Sequence, residues 1–574
     1  MSQFESYAFW FRFTKASLVV FVLCFLLLFF GKFLFFLSYP LLTYADQAFY
    51  LQCGKIILAG GVPYRDVFDW NPPLIMYLAV IPILLSSCFR AYFANRDLLV
   101  FLSPILCGFT SDIFFFNLVT LACGCYAVFL SMFLLYRYKG FVSLLLRMPM
   151  LILFVFYFCM QSYSFGEREH LHFGLILPLF VLRLLRLQGK KISIQHSVLA
   201  ALPASLTLLF KPQFLLAYCA FEATLALQAL SGRHRYEPNT PESRQEWEPA
   251  SGAFLSRLLS SLYVRKLASF YRQPEVYCLL TMTLLYVGWF FFVFPADART
   301  CFLQEILPLY DIAYGFSRRA VLLLFRADNL ILQSVSISFA GLFLGLLLSR
   351  SSAFAAALSA FLAVSLWNYF YGNQIWLYRL VPSEGAAFLV LGEGIYLGSL
   401  VVLGRFRAGR LMALALVYML VALFFCAQSF TQSVNARKLD CSAPLDEVGI
   451  RMIYFHSLIG RKDSEILWLG TGISPGFPAI LQFSGRPGSR YVYSILAQVS
   501  HAMSLSPAHR QRFEPVFRRM LAEYKRYIVK KKPKLIVVQR NPMQAFLNQG
   551  GIELAAFGYR EVEGCKEYGF FVRN

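Results

Sequence analysis

Charge is scarce in this chain. Only 15% of its 574 residues are Asp, Glu, Lys or Arg, whereas 58% are hydrophobic and 17% aromatic. That excludes an ordinary soluble domain, in which about 25% of residues are charged. Acid is scarcer than base, 31 Asp and Glu against 53 Lys and Arg, for a formal net charge of +22. The excess of base does not point to nucleic acid. Its Lys and Arg fall in short clusters between apolar runs, such as Arg137 with Lys139 and Lys190 with Lys191, where the positive-inside rule puts them. Metal-spaced cysteines are missing as well: the 13 Cys form no Cys-x-x-Cys pair, and most lie in apolar runs as small hydrophobes. The turn Gly470-Thr471-Gly472 lacks both the G-x-G-x-x-G spacing and a P-loop Lys, which argues against nucleotide binding. The first apolar run, residues 16–36, is too long for a signal-peptide core and has no small-x-small cleavage site, so it reads as a retained anchor.

Long apolar runs are abundant, and many reach the roughly 20 residues that span a bilayer. Taken with the basic clusters they predict about eleven spans. These fall at residues 16–37, 113–135, 149–161, 171–187, 198–210, 214–230, 276–294, 330–348, 353–366, 386–403 and 411–427. The run 74–88 is short and broken by Pro82, and reads as an interfacial helix. The alternation puts the N-terminus in the cytoplasm. Residues 231–273 form a basic, Pro-containing cytoplasmic loop whose second half, 254–271, has an amphipathic pattern. Residues 431–574 are not membrane-like. Strand-like Ile466 to Leu469, a helical 510–529, then Lys534 to Val538 and Tyr568 to Val572 predict a small α/β domain with a partly parallel sheet. The fold class is thus a polytopic α-helical membrane protein, domain 1–430, with a C-terminal outer-face α/β domain, 431–574. Cys441 and Cys565 near the ends of that domain are either a disulfide or two buried thiols.

The stretch 43–73, TYADQAFYLQCGKIILAGGVPYRDVFDWNPP, concentrates Asp46, Asp66 and Asp69 in a chain poor in acid. Gly60-Gly61 and Pro63 stop any helix begun at Asp46, so a helix over 46–58 is predicted, then a turn, then a new element after Pro72-Pro73. On composition alone this is an ordinary loop between membrane helices. Three further polar sets fall on the same predicted outer face: Gly166-Glu167-Arg168-Glu169-His170, Lys211-Pro212-Gln213, and residues 368–384 with Tyr371, Asn373, Gln374, Tyr378 and Arg379. Polar residues in apolar surroundings are costly and therefore functional candidates. The alternative is structural: Arg168 paired with Glu167 or Glu169, and Lys211 snorkelling to headgroups.

An acid just past the first span, followed by G-x-P-Y-R-D and D-x-x-P-P, resembles the first outer loop of polytopic glycosyltransferases of the GT-C fold. The branch it looks like contains the protein O-mannosyltransferases and the bacterial aminoarabinose transferases of lipid A. Asn71 stands where many relatives have His or Lys. The resemblance extends to GTGISPGFP and Ser489-Arg490-Tyr491 in the tail, and to the GEREH and KPQ motifs. It implies transfer of a sugar, with inversion, from a polyprenyl-phosphate donor to an envelope acceptor at the outer face of a bacterial inner membrane. It also implies Asp46 as catalytic base, with Asp69 as the alternative. Arg65, Asp66, Arg168, Glu169, His170, Lys211, Tyr378 and Arg379 are then candidate substrate-binding residues. The chemistry suits these types. A carboxylate takes the acceptor's proton, while Arg and Lys hold the leaving phosphate. No cofactor is certain. A divalent metal near the acidic loop is left open, although there is no clean ligand set. The expected partners are the lipid-linked donor, the envelope acceptor and the bilayer, with no nucleic acid. The rival readings are a lipid or solute transporter (flippase) and a non-catalytic envelope assembly protein. A transporter calls for charges inside its spans and for repeated halves. Here charge collects in outer loops and no internal repeat is visible.

Overall fold

A computed structural model describes residues 25–36, 45–93, 108–161, 164–231, 271–314, 329–371, 376–405, 465–482, 485–491, 493–562 and 565–573, with single positions in 19–23 and 448–455. The predicted span 411–427, the amphipathic stretch 254–270 and Cys441 lie outside the described residues. Eight helices among the described residues are long and apolar enough to cross a membrane, and three shorter apolar helices accompany them, Phe25–Phe36, Leu146–Cys159 and Ile194–Leu208. The chain is a multi-pass membrane protein with a small C-terminal sheet. It divides into two compact units, Met1–Lys32 with Leu121–Gly288 and Arg318–Gln432, and Phe33–Thr120 with Trp289–Ser317 and Ser433–Asn574.

The first unit is a helical bundle. Ala353–Tyr371 packs on Pro212–Ser231 and on Val381–Arg405, and Ile194–Leu208 packs on Arg168–Leu187 and Pro274–Gly288. The predicted spans 113–135 and 149–161 fall in two successive helices within Gly108–Met160, separated by a kink at Gly140, where φ is 80° and a side chain would be strained. Charge is less confined to loops than the sequence implies. Arg183 is fully buried and donates Nε and Nη2 to the two carboxylate oxygens of Glu222, at 2.8 and 2.7 Å, and Nη1 to Glu275 at 3.1 Å. Arg186 adds Nε and Nη2 contacts of 3.2 Å to Glu275. Two cations and two carboxylates therefore balance among the helices Arg168–Leu187, Pro212–Ser231 and Pro274–Gly288. Arg147 and Glu393 form a second buried pair at 2.5 Å.

In the second unit, a helix covers Ala45–Leu58, close to the expected 46–58. Its end shows why the Gly pair is there. Gly60 takes φ 89°, its N–H reaches Ile57 O at 2.9 Å, and the Gly61 N–H reaches Ile56 O at 2.8 Å. That is a Schellman cap, which satisfies two orphan carbonyls. The run after Pro73 forms the helices Leu74–Leu78 and Val80–Phe93, and Leu74–Tyr92 is long and apolar enough to cross a membrane. Pro82 falls in the first turn of the helix Val80–Phe93, where a missing N–H removes no helical bond. Between the predicted spans 276–294 and 330–348 the chain is helical over Ala296–Cys301, Phe302–Ile306 and Leu307–Tyr314, and 315–328 lies outside the described residues.

The C-terminal sheet has five strands, β1 Glu465–Leu469, β2 Arg486–Pro487, β3 Leu535–Gln539, β4 Tyr559–Glu561 and β5 Tyr568–Arg573, in the order β2-β1-β3-β5-β4. β1 pairs in parallel with β2 and β3, and the β3–β5 and β5–β4 pairs are antiparallel. The long connection between β2 and β3 carries the helix Pro507–Lys531, with Ser506 as N-cap. Its buried residues Phe513, Val516, Phe517, Met520, Leu521, Tyr524 and Ile528 recur at three and four, the spacing of one helical face.

Removing Arg183 leaves the Glu222 carboxylate without its guanidinium, while Glu275 keeps Arg186. Arg183→Met is expected to lower stability by about 3–5 kcal/mol, and Arg183→Lys by less. Thermal unfolding of the purified protein in detergent checks this; an unshifted Arg183→Met would show the network to be dispensable.

Candidate active site

In the second unit the loop after Leu58 is built by its own backbone and by the carboxylates of Asp66 and Asp69. Asp66 accepts from the Val62 N–H at 2.7 Å while its own N–H donates to Val62 O at 2.8 Å, and its Oδ2 also receives Arg65 Nε at 3.1 Å. Both Asp66 and Arg65 are exposed. Tyr64 has φ 68°, a strained value for a bulky side chain. It is held there by its N–H to Val67 O at 2.6 Å, its hydroxyl to Asn71 O at 2.6 Å and stacking on Phe302 at 4.8 Å. Asp69 is buried. Its Oδ1 receives the Trp70 N–H at 2.7 Å, and Asn71 Nδ2 donates to both of its oxygens, at 3.1 and 3.0 Å. Burial, and then the Asp69 charge, push the Cys53 thiol well up. Two of the three carboxylates are thus engaged in shaping the loop. The third, Asp46, is half-buried in the first turn of Ala45–Leu58, where an acid complements the helix dipole.

One residue from the C-terminal domain fixes this loop. Arg490 donates Nη1 to Tyr64 O and Arg65 O, at 3.3 and 3.4 Å, and its carbonyl accepts the Phe68 N–H at 2.9 Å. Its Nε and Nη2 both donate to Glu523 at 2.9 Å, the two-pronged geometry that suits a guanidinium and a carboxylate. Tyr491 covers the guanidinium: its ring centre lies 4.8 Å from Arg490 Cζ, its hydroxyl accepts Arg490 Nη2 at 2.7 Å, and burial pushes its own ionisation up. Sequence reading noted Ser489-Arg490-Tyr491 but gave it no role. The other residue it missed is Asp112, buried, with Lys55 Nζ at 2.6 Å, Arg90 Nη1 at 3.0 Å and the Ser86 hydroxyl at 2.5 Å. An acid directly before the apolar run 113–135 was the available signal.

The first unit holds the other candidates. Arg168, Glu169 and His170 open the helix Arg168–Leu187, and all are buried. Gly166 precedes them with φ 79°, and its N–H donates to His170 Nδ1 at 3.0 Å. The other ring nitrogen, Nε2, lies 3.0 Å from Phe158 O, so it carries the proton, and both sides of the imidazole serve the backbone. Lys211 does not snorkel: it is buried and donates to Glu169 Oε1 at 2.5 Å. Its Nζ also sits 5.6 Å from the centre of the Tyr378 ring, a cation–π contact. Burial lowers Lys211 to about 8, helped by the Arg168 and Arg379 charges and opposed by Glu169. Arg168 Nε is 4.0 Å from Glu169 Oε2, the structural pairing foreseen for it. Arg379 stacks over Trp376 at 4.8 Å. Asn368 donates to Gln213 O at 3.1 Å and so joins two of the predicted sets, while Asn373 and Gln374 lie outside the described residues. Arg168, Glu169, Lys211, Tyr378 and Arg379 therefore come together within this unit. Among the described residues there is no group of three or more His, Cys, Asp or Glu side chains placed to hold a metal.

No family model and no curated protein matches the chain. Among solved structures it is similar to the crystal structure of ArnT from Cupriavidus metallidurans bound to undecaprenyl phosphate, with 11% identity, 96% of this chain and 97% of that chain covered, and a TM-score of 0.49. The apo state of the same protein matches at 12% identity over the same shares, with a TM-score of 0.46. The Archaeoglobus fulgidus oligosaccharyltransferase, tethered to an acceptor peptide containing the NVT sequon, matches at 12% identity over 97% of this chain and 74% of that chain, with a TM-score of 0.42. Likeness at this level carries no argument about function.

Asp66 acts as a latch of the turn. Asp66→Ala is expected to weaken the turn by about 1 kcal/mol. Hydrogen exchange should then be several-fold faster at the Val62 amide, while exchange in β3 stays unchanged. Unaltered exchange at Val62 would remove the latch.

Proposed function

We propose that the chain is a membrane glycosyltransferase that moves a sugar from a polyprenyl-phosphate carrier to an envelope acceptor on the outer face of the membrane. In this reading Asp46 is the base that takes the acceptor's proton, and attack at the anomeric carbon inverts its configuration. Arg168, Lys211 and Arg379 are the cations for the leaving phosphate, Arg by paired hydrogen bonds and Lys as a point charge. The N-terminus is cytoplasmic and residues 431–574 are periplasmic.

The observation that supports this most is the Lys211 environment. Arg168 and Lys211 both meet Glu169, Arg379 adds its charge near Lys211, and burial is already pulling the Lys211 charge down. Such an arrangement favours the arrival of further negative charge. A buried cluster serving structure alone balances its charges, as Arg183 and Arg186 do with Glu222 and Glu275. Asp66 and Asp69 serve the loop's own hydrogen bonds, while Asp46 sits half-buried in the first turn of its helix.

Asp46→Asn keeps the size and polarity of the side chain and removes the proton acceptor. Turnover of a polyprenyl-phosphate sugar should fall by about 100- to 10,000-fold with donor binding retained. Lys211→Ala should weaken donor binding as well. Asp69→Asn is expected to loosen the loop and lower turnover less than Asp46→Asn. Near-full turnover in Asp46→Asn would overturn the assignment of the base.

A further inference from the structure

The helix Pro507–Lys531 carries eight Lys and Arg against two Glu. Three of the eight are matched: Arg518 pairs with Glu514 at 2.6 Å, Arg519 pairs with Glu305, and Lys531 lies 3.9 Å from Glu465. Arg510, Arg512, Lys525, Arg526 and Lys530 are exposed with no carboxylate partner among the described residues, and of these Arg526 and Lys530 line a groove. Four positions apart, they share one helical face. That face borders a groove of about 380 Å³, and Arg65 of the outer loop borders the same groove with Ser489 and Tyr527. The favourable effect of Lys at a helix C-terminus accounts for Lys530 and Lys531. It does not account for Arg526 one turn earlier, or for Arg65, which comes from a loop far away in sequence.

We propose that this groove binds the phosphate of an anionic lipid headgroup. The cations supply the charge: Arg526 can present paired N–H groups to phosphate oxygens, Arg65 keeps its two Nη groups for them while its Nε stays on Asp66, and Lys530 adds a point charge. Arg490 is not part of this supply, because its guanidinium is committed to Glu523 and the loop carbonyls. Ser489 and Tyr527 offer the polar and flat apolar surface that a glycerol or sugar headgroup meets. A lipid is favoured over a soluble anion by position in the chain. Arg65 lies only a few residues ahead of Leu74–Tyr92, a helix long and apolar enough to cross the membrane, so this wall of the groove is tethered beside the bilayer surface. The groove contains none of Asp46, Arg168, Lys211 and Arg379, and its test reads lipid binding rather than sugar transfer.

The test uses the purified full-length chain in a neutral detergent. Binding of dioctanoyl phosphatidylglycerol, dioctanoyl phosphatidylcholine and inorganic phosphate is measured by native mass spectrometry and by titration at two salt concentrations. The expected result is salt-sensitive binding of the phosphatidylglycerol, weakened about tenfold in Arg526→Gln/Lys530→Gln. The double variant should melt at the wild-type temperature, because both side chains are exposed. Three results would each overturn the proposal: equal binding of phosphatidylglycerol by wild type and double variant, equal binding of phosphatidylcholine, or binding of inorganic phosphate as tight as that of the lipid, which would mark a soluble-anion site.

Discussion

The outer loop depends on Arg490. A loop with Tyr64 at positive φ turns its carbonyls away from any regular ladder, and those groups need donors. Arg490 supplies them to Tyr64 and Arg65, and its own carbonyl takes the Phe68 N–H. Glu523 holds the other edge of the guanidinium from the long C-terminal helix. The result is that residues 62–70 belong to the same compact unit as the sheet, not to the bundle of membrane helices. The Schellman cap at Gly60, the Asp66 latch and the buried Asp69–Asn71 pair then set the path of the chain on either side of this clamp.

The bundle shows two uses of buried charge. Around Arg183 the charges are balanced, each guanidinium edge meets a carboxylate, and three helices are tied together. Arg147 and Glu393 do the same on a smaller scale, with Ser352 donating to the second carboxylate oxygen at 2.9 Å and Tyr396 under the guanidinium at 4.0 Å. Around Lys211 several cations lie close together: Lys211 pairs with Glu169 at 2.5 Å and faces the Tyr378 ring, and Arg379 stacks over Trp376. The same residue types therefore tie three helices through carboxylates in one place and gather cations against aromatic rings in another.

What the sequence disclosed follows from how local the cause was. The helix at Ala45–Leu58 was legible because its stop signal, Gly60-Gly61 before Pro63, sits beside it. Strands β1, β3 and β5 were legible from short apolar runs, and the pattern of apolar residues marked the helix Pro507–Lys531. Pro82 misled, because a proline reads as a break unless it is known to fall in a first turn. Residues 296–314 looked like a loop because Pro295, Asp297 and Arg299 interrupt hydrophobicity without interrupting helix. The partners of Arg183 were hidden because Glu222 and Glu275 lie on two other helices. In the candidate site, the residue types were legible, but Asp66 and Asp69 looked equivalent to Asp46 until their hydrogen bonds within the loop were seen. The Arg490 clamp was beyond sequence reading altogether, since its loop partners are more than 400 residues away along the chain.

The central claim is that Arg490 holds the outer loop to the C-terminal domain, and limited proteolysis tests it directly. Arg65 is exposed, so trypsin can cut after it once the loop opens. In Arg490→Met the account predicts cleavage after Arg65 roughly ten times faster than in wild type, with a similar effect in Glu523→Gln and an unchanged rate of cutting after Arg560 in β4. Cleavage after Arg65 at the wild-type rate in both variants would contradict it.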